Sequence, residues 1–299
     1  MSASPSSERQ HTYRLTEALW WAALPGSILF AVLQVTEHIA KEAIGFDSHA
    51  YWLAARMPET WYLLAPRLKD AYLYSPAFAQ LLWPFGQLPW TAFQALWAAV
   101  GAALLFWLLK PLGWRKGLTL APFFVTELML GNVYILFAAA LVVGVTRFPG
   151  AFAIFAVTKV APSVVFLWFV VRREWGKAAV ALGTTAAIVL ASTVLNPQAW
   201  ADWARFLVTW TGDGSVGAPV RAVLAIVVVV WAARTDRAWL LAPAVLLACP
   251  VFGGWGPLAV LAAIPRLLVA FPRPTAGPVS TTAQPEPETA IPVGTTQPA

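Results

Sequence analysis

Charge is the first thing this chain lacks. Of its 299 residues only 11% are Asp, Glu, Lys or Arg, against roughly 25% in a soluble domain. A large all-apolar soluble core could share that composition, but several segments run close to or above the ~18 uncharged residues that mark a spanning helix. Cysteine is nearly absent: Cys249 stands alone inside an apolar segment, which excludes a disulfide framework. Histidine occurs only at positions 11, 38 and 49, and no Cys/His metal spacing, Gly-rich phosphate loop or G-x-S-x-G elbow is present. The usual constellations of soluble enzymes are thereby excluded. The polar N-terminus has no small-residue cleavage site closing a short apolar core, so the first span reads as an anchor that stays. No clear internal repeat is visible, which counts against a transporter built from two similar halves.

What is abundant is apolar surface. Hydrophobic residues make up 59% of the chain and tryptophan alone contributes 17, the composition of an all-α, multi-pass integral membrane protein with aromatic belts. Apolar runs between charges and Pro/Gly breaks predict about ten crossings, near 18–36, 74–88, 90–109, 117–130, 132–147, 150–171, 178–195, 219–233, 238–250 and 255–271. Several are short enough to require tilted, partial or broken helices. Residues 1–17 read as a cytoplasmic segment, 18–271 as one polytopic domain, and 272–299 as a Pro/Thr-rich tail too poor in apolar residues to fold.

The net charge of +6 is spread between spans and reads as topology signal rather than as a nucleic-acid patch. With the N-terminus inside, Arg172, Arg173 and Lys177, then Arg234 and Arg237, then Arg266 and Arg273 fall on the cytoplasmic side, as the positive-inside rule asks. Residues 37–73, 196–218 and 251–254 then lie on the outer face. Lys110, Arg115 and Lys116 also fall outside, against the rule, unless an early segment such as 74–88 fails to span.

The polar residues that remain are placed suggestively. After the first span comes KEAIGFDSHAYWLAARMPETWYLLAPRLKDAYLYSP, where aromatic and basic residues alternate as in helices lying in the membrane interface. Asp47 and Tyr51 are four apart and share a helical face. Asp47 reads either as an N-cap, worth about 1 kcal/mol, or as a general base whose pKa desolvation raises toward usefulness. His49 points to another face and reads as an interfacial polar group. Tyr72 and Tyr74 precede a proline at the mouth of a predicted span.

Lys159, in TKVAP, is expected about 14 Å into a helix counted from Gly150. A lysine so placed needs a partner or a substrate, and two readings stand open: an ion pair with Glu127, or an anion site for phosphate. In the later outer segment Trp200, Asp202, Trp203, Arg205 and Trp210 form another amphipathic pattern. Arg205 and Arg221 suit either phosphate oxygens or snorkelling to the interface.

Four stretches taken in order resemble glycosyltransferase family 87, the DUF2029 group within the multi-span GT-C class. FDSHAYW follows the first span; YLYSPAFAQLLWPFGQLP is similar to the family's Tyr-x-Tyr-Pro-Pro run ending in Leu-Pro. LGNVYILFAAALVVG is similar to its Gly-Gln/Asn segment, and AVTKVAPSVVFLWFVVRREW to its Lys-x-x-Pro helix followed by basic residues. The resemblance implies a GT-C-like bundle that moves a sugar from a polyprenyl-phosphate donor to a glycolipid or glycan acceptor of the cell envelope. It implies inversion at the sugar, no metal and no cofactor, mannose as the favoured sugar, and an active site on the extracytoplasmic side of the cell membrane. Asp47 matches the family's general base. Lys159, Tyr51, Tyr74, Asn132 and Arg221 are the expected substrate contacts, Lys159 and Arg221 as cations for the departing phosphate. Two other functions fit the same composition: a lipid or solute transporter or flippase with Lys159 and Glu127 as pathway charges, and a catalytically degenerate envelope scaffold.

Overall fold

A computed structural model describes residues 5–66, 68–209, 217–249 and 254–272. Arg67, Trp210, Arg273 and the tail expected beyond position 272 lie outside them. Within these limits the chain is helical with no strand, as an apolar sequence must be if every backbone polar group is to be satisfied without water.

Four stretches are long and apolar enough to cross a membrane: Glu17–Ala40, Trp90–Leu112, Trp175–Leu195 and Gly217–Arg234. They correspond to α1 (Pro5–Ala40), α4 (Trp90–Leu109), α10 (Trp175–Leu195) and α12 (Gly217–Arg234). A fifth would be the run Trp114–Leu130 joined to Tyr134–Thr146, but these two pieces meet at 115°. The remaining apolar helices are short, at Pro149–Thr158, Ala161–Val171, Ala238–Ala248 and Gly256–Ala270. Thus only four, or five with the bent pair, of the ten expected crossings have a helix long enough to span; most of the others fall on the short apolar helices, and one is represented in neither group.

That one is 74–88. Only α3 (Pro76–Gly86) forms there, 11 residues long, which at ~1.5 Å per residue is about half of a ~30 Å hydrocarbon core. Pro76 starts it and Pro84 lies inside it, so hydropathy alone overstated the span. Both of its ends lie against α2 (Phe46–Arg56): Tyr51 reaches Tyr74 at 2.7 Å, and Trp52 Nε1 donates to the Leu88 carbonyl at 2.8 Å. The helices touch through small residues, since a Cβ on Gly86 would stand 2.5 Å from that of Ala55. The interfacial helices expected in this loop are therefore reduced to α2, whose Ala50, Tyr51, Ala54 and Ala55 are buried in the bundle, and a single turn at Pro58–Thr60.

The awkward basic cluster lies at the end of the bundle where the apolar part of α1 begins. Arg115 Nη1 pairs with Glu17 Oε2 at 3.0 Å, beside the start of the apolar part of α1. Arg266 donates to the Trp107 carbonyl at 2.6 Å near the end of α4. Arg172 pairs with Asp236 and Glu174, and Lys177 with Glu174. Arg115 is thereby at the opposite end of the apolar part of α1 from Gln34, Glu37 and His38, which line a cavity.

The other interruptions have local causes. Helix α6 (Val125–Leu130) stops at Gly131, whose φ of 69° is left-handed, and α7 (Tyr134–Thr146) sets off in a new direction. The span expected over 150–171 breaks after α8 (Ala153–Thr158), where Lys159 is extended at φ −118°, ψ 93°. Pro162 cannot donate to the Thr158 carbonyl one turn back, so the depth of Lys159 is not that of a residue in a continuous helix. Residues Ala161–Phe166 resume as a tighter turn leading into α9 (Leu167–Val171).

Two left-handed glycines fix the contact between these parts. Gly45, φ 70°, precedes α2, and its N–H donates to the Met129 carbonyl at 2.6 Å. A Cβ on Gly131 would lie 2.4 Å from Ser48 Oγ. Gly131→Ala is expected to lower the thermal midpoint in detergent by an amount equivalent to about 1–3 kcal/mol. Gly176→Ala, at a position with open space around it, should leave the midpoint unchanged or slightly raised; equal effects would show that the Gly131 contact does not hold the fold.

Candidate active site

The helix interruptions converge. Asp47 from the first turn of α2, Tyr74 from the segment before α3, Asn132 from the α6–α7 break, Lys159 from the α8 break and Gly254 at the entry to the last helices line one cavity of about 830 Å³. Its other walls come from α1, from the loop at 66–73 and from Trp203, Phe206 and Leu207 of α11 (Pro197–Thr209). Most of those walls are apolar, and the polar groups are gathered on one side.

Asn132 is the centre of that group. Its Oδ1 accepts from the Val133 N–H at 2.7 Å and from Lys159 Nζ at 3.1 Å. The Tyr74 and Tyr51 hydroxyls approach the same oxygen at 3.4 and 3.5 Å and lie 2.7 Å from each other. The Asp47 carboxylate lines the same cavity, close enough to Asn132 and Lys159 for both to favour its ionised form. Asn132 Oδ1 thus gathers an ammonium, a backbone amide and two tyrosine hydroxyls beside the acid.

Lys159 completes its shell with neutral partners. Nζ donates to Tyr134 Oη at 2.8 Å and sits 4.0 Å from the centre of that ring and 5.6 Å from that of Tyr74, within cation–π range. The ion pair with Glu127 does not form. Glu127, 2% exposed, instead turns Oε1 to the Tyr134 N–H at 2.7 Å and caps the start of α7. Its Oε2 has no hydrogen-bond partner among the described residues.

Asp47 is not a cap: the N-cap of α2 is Gly45, and no side chain bonds the first turn. Its carboxylate faces the cavity, and burial pushes its pKa above the ordinary value of 3.8, an effect that nearby Lys159 and Asn132 partly offset. His49 points elsewhere, 2.5 Å from Asp70 and edge-on to Trp90. Arg221, one turn into α12, is not among the side chains that line the cavity. Of the expected contacts, Asp47, Tyr51, Tyr74, Asn132 and Lys159 meet around one amide and Arg221 does not join them.

Sequence reasoning missed Tyr134 and the orphaned oxygen of Glu127. A signal for the first existed, since tyrosine occurs only six times in the chain. Three of the six, Tyr51, Tyr74 and Tyr134, reach this site. Among the described residues no three His, Cys, Asp or Glu side chains gather as metal ligands.

A carboxylate with a raised folded pKa binds more protons folded than unfolded, so its ionisation lowers stability as pH rises through that range. Asp47→Asn is therefore expected to raise the thermal midpoint at neutral pH, with the gain shrinking as pH falls toward about 4. A variant less stable than the wild type at every pH would show that the ionised carboxylate is a structural asset instead.

No curated protein and no solved structure matches this chain. The family model described as glycosyltransferase family 87 does, over residues 72–277, more than half of the sequence. The matched region holds Tyr74, Asn132, Lys159 and Arg221; Asp47 and Tyr51 lie upstream of it and are brought to it by the fold. With its apolar helices and this match, the chain belongs to glycosyltransferase family 87 and is a membrane protein that transfers glycosyl groups.

Proposed function

We propose that the protein is an inverting GT-C-type transferase that takes a sugar, mannose by preference, from a polyprenyl-phosphate donor and passes it to a glycolipid or glycan acceptor of the cell envelope. The observation that carries this reading is that Asp47 and Lys159 line one mainly apolar cavity, the lysine being hydrogen-bonded to the neutral partners Asn132 and Tyr134. A base and a cation so placed suit the two ends of a displacement.

Asp47 accepts the proton of an acceptor hydroxyl as that oxygen forms a bond to the anomeric carbon. The bond from that carbon to the phosphate oxygen breaks on the opposite face, and its electron pair leaves with the lipid phosphate. One displacement inverts the configuration. Lys159, whose partners in the protein are neutral, offers its charge to the growing negative charge on the leaving group. Tyr51 and Tyr74 hold the amide that accepts from Lys159. Leu73, Leu130, Val160 and Leu207 give the prenyl chain an apolar lining.

Residues from 37–73 and 196–218, together with Gly254, which the sequence reading groups on the outer face, all contribute walls to this cavity, and this supports an outward site. Arg115 lies beside Glu17 at the other end of α1, which the positive-inside rule makes cytoplasmic.

Asp47→Asn should abolish transfer from a labelled polyprenyl-phosphate sugar in membranes, by about three orders of magnitude or more, while protein levels stay normal. Undiminished turnover would remove Asp47 from the chemistry. Because the base must be ionised, kcat/KM should fall on the acid side with an inflection above the ordinary carboxylate value. Lys159→Met removes a charge that favours the ionised form, so in that variant the inflection should move to higher pH while donor affinity drops about tenfold or more. An inflection that stays in place together with unchanged donor binding would separate Lys159 from the site.

A further inference from the structure

A second concavity, of about 500 Å³, lies beside the first. One bank is the chain at 58–63, where Trp61 and Tyr62 present aromatic surface and Glu59 stands at the rim. The other is α11, with Gln198, Asp202 and Arg205. Phe206 faces both this groove and the main cavity.

The groove is built rather than incidental. Tyr62 adopts a left-handed backbone, φ 62°, which a bulky residue tolerates only where its surroundings over-determine it. Those surroundings are visible: its hydroxyl donates to the Tyr74 carbonyl at 2.9 Å, and its ring stacks on Phe206 at 5.4 Å. Trp61 is fixed by a 2.7 Å bond from Nε1 to the Ala54 carbonyl. Across from them Asp202 accepts from Gln198 at 3.1 Å and from Arg205 at 2.5 Å, so the carboxylate, amide and guanidinium are pre-arranged in one polar edge.

Fixed aromatic faces opposite planar donors and acceptors suit a molecule with apolar C–H faces and a ring of hydroxyls. Resting on the glycosyl-transfer reading above, we propose that this groove binds an inner sugar unit of the acceptor, which is accordingly an oligosaccharide chain. The sugar in the groove is not the one presented to Asp47, because Asp47 lines the main cavity and not the groove, and Phe206 is common to the two. The residue that receives the new sugar reaches past Phe206 into the cavity while its neighbour in the chain is gripped outside.

The test is binding, read without turnover. Purified protein in nanodiscs is titrated with mono- to tetrasaccharides of mannose, glucose, galactose and arabinose, free and attached to a lipid anchor, and followed by saturation-transfer NMR and calorimetry. At least one series should bind measurably from the di- or trisaccharide upward, with the monosaccharide at least about tenfold weaker. Tighter binding of the lipid-anchored form would identify a glycolipid headgroup, and equal binding a free glycan. Gln198→Ala with Asp202→Ala, and separately Glu59→Gln, should each weaken the oligosaccharide by about tenfold, with helical circular dichroism unchanged. Asp47→Asn should retain oligosaccharide binding, which separates this site from the transfer chemistry even if no transfer is found. The proposal is overturned if no series binds with length dependence, if the groove variants bind as the wild type does, or if Asp47→Asn alone eliminates binding.

Discussion

Everything at the centre of this molecule depends on one side-chain amide. Asn132 Oδ1 holds the Lys159 ammonium at 3.1 Å in the cavity that Asp47 also lines, and among the described residues the two charges form no ion pair. Direct contact would have produced a buried ion pair, in which each charge is spent on the other. Engaging the ammonium with neutral partners keeps both available. The tyrosines serve the same purpose: Tyr134 satisfies a second ammonium proton at 2.8 Å with no negative charge, and its ring face adds a cation–π contact.

Holding that amide in place requires backbone that is not helical. Asn132 follows a left-handed glycine, Lys159 occupies an extended residue ahead of a proline, and Asp47 follows a second left-handed glycine. In a lipid-facing setting such breaks would strand peptide groups, and they are tolerated where they border a cavity or are paired internally. Pairing is what the structure shows. Gly45 donates to Met129, Val133 to Asn132 and Tyr134 to Glu127. Glu127 is consumed largely by this task, since closing the exposed start of α7 engages the oxygen that would otherwise have been free to neutralise Lys159.

How much of this was legible in the sequence follows from which forces act locally. The i, i+4 relation of Asp47 and Tyr51 and the Lys-x-x-Pro pattern at 159–162 are short-range features, and the fold brings Asp47 and Lys159 to the cavity wall with Tyr51 behind them on Asn132. Hydropathy, by contrast, averages over a window and cannot see that Pro76 and Pro84 confine 74–88 to a short helix lying on α2. Arg115 is placed instead by its pairing with Glu17, a contact distant in sequence that hydropathy does not carry. The depth assigned to Lys159 failed for a related reason, since a rise per residue presumes a continuous helix. The Glu127 assignment failed differently: two opposite charges in apolar surroundings suggest a pair, and only the position of the Tyr134 N–H reveals a stronger local claim on the carboxylate. Arg221 had no local signal beyond its place at a span entrance, where snorkelling and ligand binding look alike.

The segment between α2 and α3 has a mechanical consequence. Tyr62 bonds the Tyr74 carbonyl, Tyr72 bonds the Ser75 carbonyl at 2.6 Å, and Ser75 Oγ bonds the Val157 carbonyl at 2.6 Å, two residues before Lys159. The irregular chain that borders the outer groove is therefore tied by a series of buried hydrogen bonds to the backbone that carries the lysine. The helix that carries Asp47 joins the same unit through Tyr51, Tyr74 and Asn132. The elements that bear acid, cation and groove are consequently linked to one another before a substrate arrives. Such preorganisation matters most where charge develops away from water, because dipoles and charges already in position need no reorganisation during the reaction. The strain retained at Tyr62 and the desolvation of Asp47 are then two costs of the same design, both borne by the packing of an otherwise apolar bundle.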